Sequence, residues 1–290
     1  MSTRRARLIL LAPVGWALAA CSTSVGPSPR IHLESAVVNG HKIEFARHGT
    51  GSPAVIFSSG SSGSGPSRIA PWAPWLLGVG TTTFVYDRPG MGNSEPARDQ
   101  RAPAQVADEL HALLAQVGIP PPYVLVGRSL GGLYSRVLAM RFPNDVAGLV
   151  LIDGSFGREL LLTNQFAPAK YPLFSPSDPN MAKPDYAGMV PTWKSGRLDV
   201  AGKLPDVPMV VLTSLHHGSA KNPMPPEYEA EWRKAQEEIF QSTTYGMHVV
   251  TAKSGHDIGQ DEPELLWNAI RWVLDAARAR QKSSALPAAH

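Results

Sequence analysis

The chain has few of the features that mark disulfide-rich, nucleic-acid-binding or membrane-spanning proteins. Its 290 residues include one cysteine, so it cannot form an internal disulfide. The formal net charge of +3 comes from three arginines among the first 20 residues, and 3 − 3 leaves zero for the rest. A neutral remainder offers no basic surface, which excludes nucleic acid as a partner. With 43% hydrophobic and 18% charged residues, the composition is typical of a globular protein.

The N-terminus has the pattern of an export signal. Basic residues precede an apolar stretch at 8–20, too short for a bilayer span of about 20 residues. Cys21 follows Leu-Ala-Ala and resembles the bacterial lipobox, in which the cysteine is lipidated and becomes the first mature residue. The resemblance implies a signal peptide at 1–20, a membrane anchor at Cys21 and a tether at 21–34. Ser22 favours the periplasmic face of the outer membrane in a two-membrane cell. The alternative is an ordinary signal peptide with a free thiol.

Short apolar runs alternate with helical patterns from residue 35 onwards. A hairpin is predicted around Asn39-Gly40. Buried strands are predicted at 54–58, 83–86, 123–127, 146–153, 207–213 and 247–252. Amphipathic helices are predicted around 106–117, after residue 129 and around 265–277. This alternation predicts an α/β protein with a mostly parallel twisted sheet and helices on both faces.

Residues 154–206 interrupt the alternation. They are rich in proline and aromatic residues, and a structureless loop of about 50 residues is uncommon in a compact domain. We predict a small helical cap over the C-terminal edge of the sheet, inserted after the sixth strand. A disordered linker is the alternative. The whole domain is expected to span 35–280, followed by a flexible tail at 281–290.

The pentapeptide Gly127-Arg128-Ser129-Leu130-Gly131 lies between a predicted strand and a predicted helix. A strand, a sharp turn and a helix are what a nucleophile elbow requires. The flanking glycines allow the tight turn, and the helix N-terminus favours developing negative charge. The pattern therefore predicts a nucleophilic role for Ser129.

Together with three other stretches, this motif resembles the α/β-hydrolase fold family over about residues 35–278. DRPGMGNS at 87–94 resembles the family's turn after the fourth strand, and AVIFSSGSSG at 54–63 lies where the family has its oxyanion loop. SGHDIGQDEPE at 254–264 resembles its catalytic-histidine loop. The resemblance implies the α/β-hydrolase fold and a serine-based catalytic triad.

A serine hydroxyl needs a general base, most often histidine. Among nine histidines, His256 is favoured because it follows the last predicted strand and the adjacent glycine lets its loop turn. His216 and His217 follow the seventh strand, and we expect them to lie on the surface or line a pocket. They have no third metal ligand at useful spacing, so no metal site is predicted there.

The acid of the triad is the most open assignment. The family often places it after the seventh strand, but this sequence has no carboxylate there before Glu227. Asp153 is favoured, because a carboxylate at the tip of the sixth strand can reach His256 and fix its tautomer. Glu227, Asp257 or a missing acid are the alternatives, and Asp153 could instead cap a turn.

Two backbone amides are expected to bind the oxyanion. Leu130 supplies one, and alignment with the family's His-Gly-x loop gives the other to Ser61, with Ser62 as the alternative. Arg128 is expected to form a structural ion pair in preference to contacting a substrate carboxylate. Asp87 and Arg88 are expected to stabilise the turn near the elbow.

The resulting expectation is a lipid-anchored envelope serine hydrolase that acts on small-molecule carboxylic esters without a metal or organic cofactor. Peptidase, thioesterase, lactonase and perhydrolase activities stay open. Dehalogenase and epoxide-hydrolase chemistry use an aspartate nucleophile in this fold and are disfavoured. A non-catalytic binding lipoprotein is the alternative from another functional class. The sequence predicts no oligomeric state.

Overall fold

A β-sheet organises the described part of the chain, which in this computed structural model is residues 9–10, 32–61, 78–168, 173–219 and 221–284. The strands are β1 (Ile9–Leu10), β2 (Leu33–Val38), β3 (His41–His48), β4 (Ala54–Ser58), β5 (Thr83–Tyr86), β6 (Tyr123–Arg128), β7 (Val146–Ile152), β8 (Met209–Ser214), β9 (Gly218–Ser219), β10 (Asn222–Pro223) and β11 (Gly246–Thr251). The sixth strand of the sequence prediction is β7.

Nine strands form one sheet in the order β1-β11-β8-β7-β6-β4-β5-β3-β2. Strand β3 is antiparallel to both of its neighbours, β2 and β5, and the remaining pairs are parallel. Strands β9 and β10 form a separate antiparallel pair. The carboxyl ends of the parallel strands therefore meet at one edge of the sheet.

The described α-helices are α1 (Pro103–Gln116), α2 (Leu130–Arg141), α3 (Glu159–Phe166), α4 (Pro184–Ser195), α5 (Pro226–Phe240), α6 (Ile258–Asp261) and α7 (Pro263–Ser284). Short 3₁₀ turns occupy Pro143–Asp145 and Pro179–Ala182. Helices α3 and α4 lie in the segment predicted to be a helical cap. Among the described helices, none is both long and apolar enough to span a bilayer.

Helices cover the sheet on both faces, which confirms the predicted fold class. Every residue of β4, β5 and β8 is buried. Along β6, Val124 and Val126 pack in the same cluster as α7, whereas Leu125 packs with α1, α2 and α5. Successive side chains of a strand point to opposite faces, so a sheet covered on both sides reads as an unbroken apolar run.

The predicted elements agree with the observed ones in part. Strands β4 and β5 have their predicted bounds, whereas β8 begins two residues later than predicted. Helix α5 was not predicted. Its buried side chains include Tyr228, Trp232, Ala235 and Ile239, a spacing that marks one helical face.

Helix α2 packs unusually close to the loop after β4. A Cβ added to Gly131, in the first turn of α2, would lie 2.1 Å from the carbonyl oxygen of Ser58. A Cβ on Gly127 would lie 2.5 Å from the carbonyl oxygen of Gly131. Both glycines of the elbow are therefore required by close backbone packing.

Gly131→Ala is expected to lower the free energy of unfolding by about 2–4 kcal/mol, because the added methyl meets backbone that cannot rotate away. Urea unfolding followed by tryptophan fluorescence measures the loss. Gly154→Ala is the control, since the nearest atoms to its added Cβ are 3.8 and 4.0 Å away. We expect that variant to lose less than about 1 kcal/mol. Equal losses in the two variants would contradict the close approach of α2.

Candidate active site

Ser129 lies in the turn between β6 and α2, in a backbone conformation that residues with side chains rarely adopt. Its φ is +51°. Backbone hydrogen bonds to and from Ser129 hold this turn. The amide of Ser129 donates to the carbonyl of Ile152 at 3.0 Å, and the amides of Gly132 and Ser155 each donate to the carbonyl of Ser129 at 2.9 Å. The elbow geometry that the sequence predicts is thus fixed by bonds to the neighbouring strand and loop.

The loop after β4 lies directly against this serine. A Cβ on Gly60 would be 3.5 Å from Ser129 Oγ. Leu130 is buried at the first position of α2, and Ser61 is exposed. Ser62 lies outside the described residues. The structure thus brings together the two segments that were expected to supply the oxyanion amides.

Arg88 holds this loop in place. Its guanidinium is fully buried, and it donates to the carbonyl oxygens of Ser59 at 2.6 Å and Gly60 at 3.0 Å. The third donor, Nε, reaches Asp185 Oδ2 on α4 at 2.8 Å. The planar fork of an arginine can serve three such acceptors at once. Arg88 was expected to stabilise the turn near the elbow, and it also connects the loop after β4 to α4.

Asp185 joins a larger buried ion network. Its Oδ1 accepts a 3.1 Å hydrogen bond from Nε of Arg101. Arg101 also donates to Glu109 Oε1 on α1 at 2.7 Å. Burial raises the pKa of Glu109, an effect that Arg101 partly offsets. Two arginines and two carboxylates therefore balance one another between α1, α4 and the elbow.

Asp153 follows β7 directly and lies beside the elbow. Arg128 pairs with Ile152 in the sheet, so the residues that follow each of them, Ser129 and Asp153, lie at adjacent strand ends. Asp153 also has a positive φ, +46°. Two of the four described non-glycine residues with positive φ are thus neighbours at one edge, where backbone strain often marks function.

The Asp153 carboxylate is completely buried, and four donors face it. Its Oδ2 lies 2.6 Å from Nδ1 of His256 and 2.8 Å from Nε2 of His217. Its Oδ1 accepts from Nε1 of Trp232 at 2.8 Å and from the amide of Ser214 at 3.2 Å. Burial would raise the pKa of Asp153, but the hydrogen bonds and charges of the two histidines lower it to about 2. The group is therefore ionised at neutral pH.

The two other candidate acids lie elsewhere. Glu227 is exposed in the first turn of α5. Asp257 forms an ion pair with Arg128, so the ion pair expected for Arg128 is present. Asp257 follows His256 in the chain, and Arg128 precedes Ser129. Their ion pair therefore ties the histidine loop to the elbow.

The expectation that His217 lies on the surface or lines a pocket is wrong. The residue is buried, and its ring lies between Asp153 and Glu229 of α5. The error has a physical cause, because α5 was not predicted and so no partner for His217 was visible. The apolar spacing within α5 is the signal that could have revealed it. His216 is exposed, as expected.

One group of described residues could offer three ligand atoms to a metal ion. These atoms belong to Asp153, His217 and His256 and lie within 4.8 Å of one another. The distances from the ring nitrogens to Asp153 Oδ2, 2.6 and 2.8 Å, are those of hydrogen bonds. Zinc bound by both rings at about 2.0–2.1 Å would require this shared oxygen to move away. The geometry is that of a hydrogen-bonded cluster.

Known proteins resemble this chain in sequence or in fold. YqjL, an uncharacterized protein of Bacillus subtilis, is 26% identical over 236 residues, which are 80% of this chain and 87% of YqjL. Proline iminopeptidase of Mycobacterium smegmatis has a TM-score of 0.59 at 16% identity, over 86% of this chain and 100% of its own. Carboxylesterase CesB of Bacillus subtilis has a TM-score of 0.55 at 16% identity, over 85% and 93%. At these identities, the two solved structures show the fold alone.

The family assignment rests on a longer match. The family described as the alpha/beta hydrolase fold matches residues 53–238, which is more than half of the chain. The matched residues include the elbow, the loop after β4, helix α2 and Asp153. The chain therefore belongs to the α/β-hydrolase fold family, and this membership supports a hydrolase.

Proposed function

We propose that this chain is a serine hydrolase that cleaves small-molecule carboxylic esters through an acyl-enzyme on Ser129. The observation that carries the proposal is the 2.6 Å contact between Asp153 and His256, beside a serine at positive φ. An ionised carboxylate on Nδ1 leaves Nε2 of His256 free to accept a proton. His256 is partly exposed, so a substrate can reach it.

The mechanism follows from these positions. Ser129 Oγ attacks the ester carbonyl while Nε2 of His256 takes its proton, and His256 then returns the proton to the departing alkoxide. Water then gives a proton to Nε2 of His256 and attacks the acyl carbon, and Ser129 Oγ leaves with that proton as the carboxylic acid is released. Asp153 stabilises the imidazolium that forms at His256 in each step. The negative oxygen of each tetrahedral intermediate is assigned to the amides of Leu130 and Ser61, with Ser62 as the alternative to Ser61.

Ser129→Ala is expected to abolish labelling by a fluorophosphonate probe and to remove ester hydrolysis. Asp153→Asn is expected to lower kcat by about 10³–10⁴-fold, because His256 would be held in the wrong tautomer. Glu227→Gln, which alters the exposed alternative acid, is expected to leave kcat unchanged. Gel fluorescence and hydrolysis of a series of p-nitrophenyl esters measure these effects. Folded wild-type protein that takes up no probe would instead be a binding protein, and the proposal would fail.

Kinetics with different classes of acyl substrate test whether the enzyme is a carboxylesterase. A carboxylesterase turns over the ester series at higher kcat/KM than matched thioesters, lactones and aminoacyl amides. A preference for one of those other substrates would reassign the substrate class while leaving the role of Ser129 intact. The aromatic side chains of 156–193 do not identify the acyl group, because several of them pack in the core.

Arg88→Lys is expected to lower kcat/KM by roughly tenfold to a hundredfold, because one ammonium cannot hold both carbonyls of the loop after β4 and Asp185 together. Arg101→Lys is the matched control, since Arg101 shares Asp185 and its other described hydrogen bonds go to Glu109 and to the carbonyl of Pro89. Both variants are expected to lose roughly 1–3 kcal/mol of unfolding free energy. Steady-state kinetics and urea unfolding make the comparison. An equal loss of kcat/KM in both variants would show that Arg88 acts only through stability.

We also propose that the chain is exported and lipid-anchored in the cell envelope through Cys21. The support is the sequence pattern alone, since Cys21 lies outside the described residues. Ile9 and Leu10 pair with His248 and Val249 at the edge of the sheet, so removal of 1–20 would leave β11 as the edge strand. That pairing involves two residues of each strand.

Cys21→Ser is expected to prevent incorporation of an alkyne-bearing palmitate during expression in a bacterium and to release the protein from the membrane fraction. Ser24→Ala is the control and is expected to retain the label. Click-chemistry detection and fractionation measure both properties. A wild-type protein that is exported without the label would support an ordinary signal peptide instead.

A further inference from the structure

His217 lies between two buried or nearly buried carboxylates. Its Nε2 is 2.8 Å from Asp153 Oδ2, and its Nδ1 is 2.6 Å from Glu229 Oε2. The backbone amide of His217 also donates to Glu229 Oε1 at 2.6 Å. The side chains of His217 and Glu229 are 7% and 13% exposed, so water screens these contacts little. Glu229 thus fixes both the ring and the backbone of His217.

The two contacts of His217 indicate which ring nitrogens carry hydrogen. Asp153 is ionised at neutral pH, so the hydrogen in its contact with His217 belongs to Nε2. The 2.6 Å contact on the other side also needs a hydrogen, and a carboxylate can only accept it from Nδ1 of the ring. Burial would lower the pKa of His217, but the hydrogen bonds and charges of Asp153 and Glu229 outweigh burial and raise it. An imidazolium, with hydrogen on both ring nitrogens, would satisfy both contacts at once.

The surroundings of His217 favour a cation. On α5, the Trp232 ring centre lies 4.4 Å away and the Tyr228 ring centre 5.6 Å away, within the range of cation–π attraction. The ring of His256 is also near, with its centre at 6.1 Å. Glu159 of α3 interacts electrostatically with Asp153 and His256. Burial raises the pKa of Glu159.

We propose that His217 is a protonated positioning residue, which holds the Asp153 carboxylate and shares its Oδ2 with His256. The inference rests on the proposed roles of Asp153 and His256. Because the shared oxygen already accepts a hydrogen bond from a cation, it stabilises a second cation on His256 less than an unshared aspartate would. The cluster of Asp153, His217 and Glu229 keeps a net charge of −1.

The charge on His217 can be read without any assay of activity. In ¹⁵N NMR of the histidine rings in full-length protein, we expect both nitrogens of His217 to be protonated at pH 7, above the ordinary histidine pKa of about 6.5. Glu229→Gln should return His217 to a neutral ring at that pH, because one of its two anions is gone. A neutral His217 at pH 7 in the wild type would place the proton on Glu229 and overturn the proposal.

The effect on His256 is tested with His217→Gln, and His216→Gln is the control because it changes the exposed neighbour. In His217→Gln, we expect the midpoint of the His256 ring titration to rise by about one pH unit, because a cation about 6 Å away is removed. The acid limb of kcat/KM should move by the same amount, while His216→Gln should match the wild type. An unchanged midpoint in His217→Gln would reduce His217 to a structural role.

Stability supplies an independent check. A raised folded-state pKa means that the stabilising charge on His217 is fully present below the unfolded value of about 6.5 and is lost as pH rises through the folded value. The wild type should therefore exceed His217→Gln in urea midpoint most strongly below pH 6.5, with a difference that shrinks on the alkaline side. A difference that grows as pH rises would contradict an imidazolium.

These readouts separate two kinds of failure. If Ser129 proves not to be a nucleophile, the ¹⁵N spectra still decide whether His217 is charged and whether it acts on His256. If His217→Gln does not fold, the wild-type and Glu229→Gln spectra still test the charge. Ester hydrolysis that depends on Ser129, combined with a neutral His217, would uphold the proposed function and reject this inference.

Discussion

A negative charge buried completely inside the protein has to be compensated, and the candidate active site is built around that requirement at Asp153. An isolated carboxylate would be too costly to keep ionised away from water. Four donors compensate this one, and they come from different parts of the chain: the end of β8, the loop that follows it, α5 and the histidine loop. Each of these segments is fixed relative to the others because it contacts the same two oxygen atoms. Removing the carboxylate would leave several buried donors without an acceptor at once.

Backbone strain at Ser129 and Asp153 is part of the same arrangement. Both residues hold a positive φ at the ends of adjacent strands, a conformation that costs on the order of 1–3 kcal/mol at each position. The strain at Ser129 is offset by backbone bonds to Ile152 and from Ser155, which cross from one strand end to the other. The serine and the aspartate are therefore presented by one rigid edge.

The sequence was informative where structure depends on local pattern. The apolar runs predicted β4 and β5 residue for residue, and the elbow was recognisable because strand, glycines and helix adjoin it. The sequence was less informative about contacts between distant residues. Trp232 is 79 residues from Asp153 and His217 is 64, and no periodicity joins them. His217 was misjudged because its environment depends on where the loop after β8 meets a helix that was not predicted.

The fork of Arg88 has a consequence for how this fold can diversify. The guanidinium that holds the loop against Ser129 takes its countercharge from Asp185, on a helix of the segment between β7 and β8. Segments inserted at the edge of a sheet are where related enzymes vary. Here an exchange of that helix would remove the counterion of a fully buried cation. Grafting a relative's segment onto this sheet would therefore require an acid at position 185, or a compensating change at Arg88.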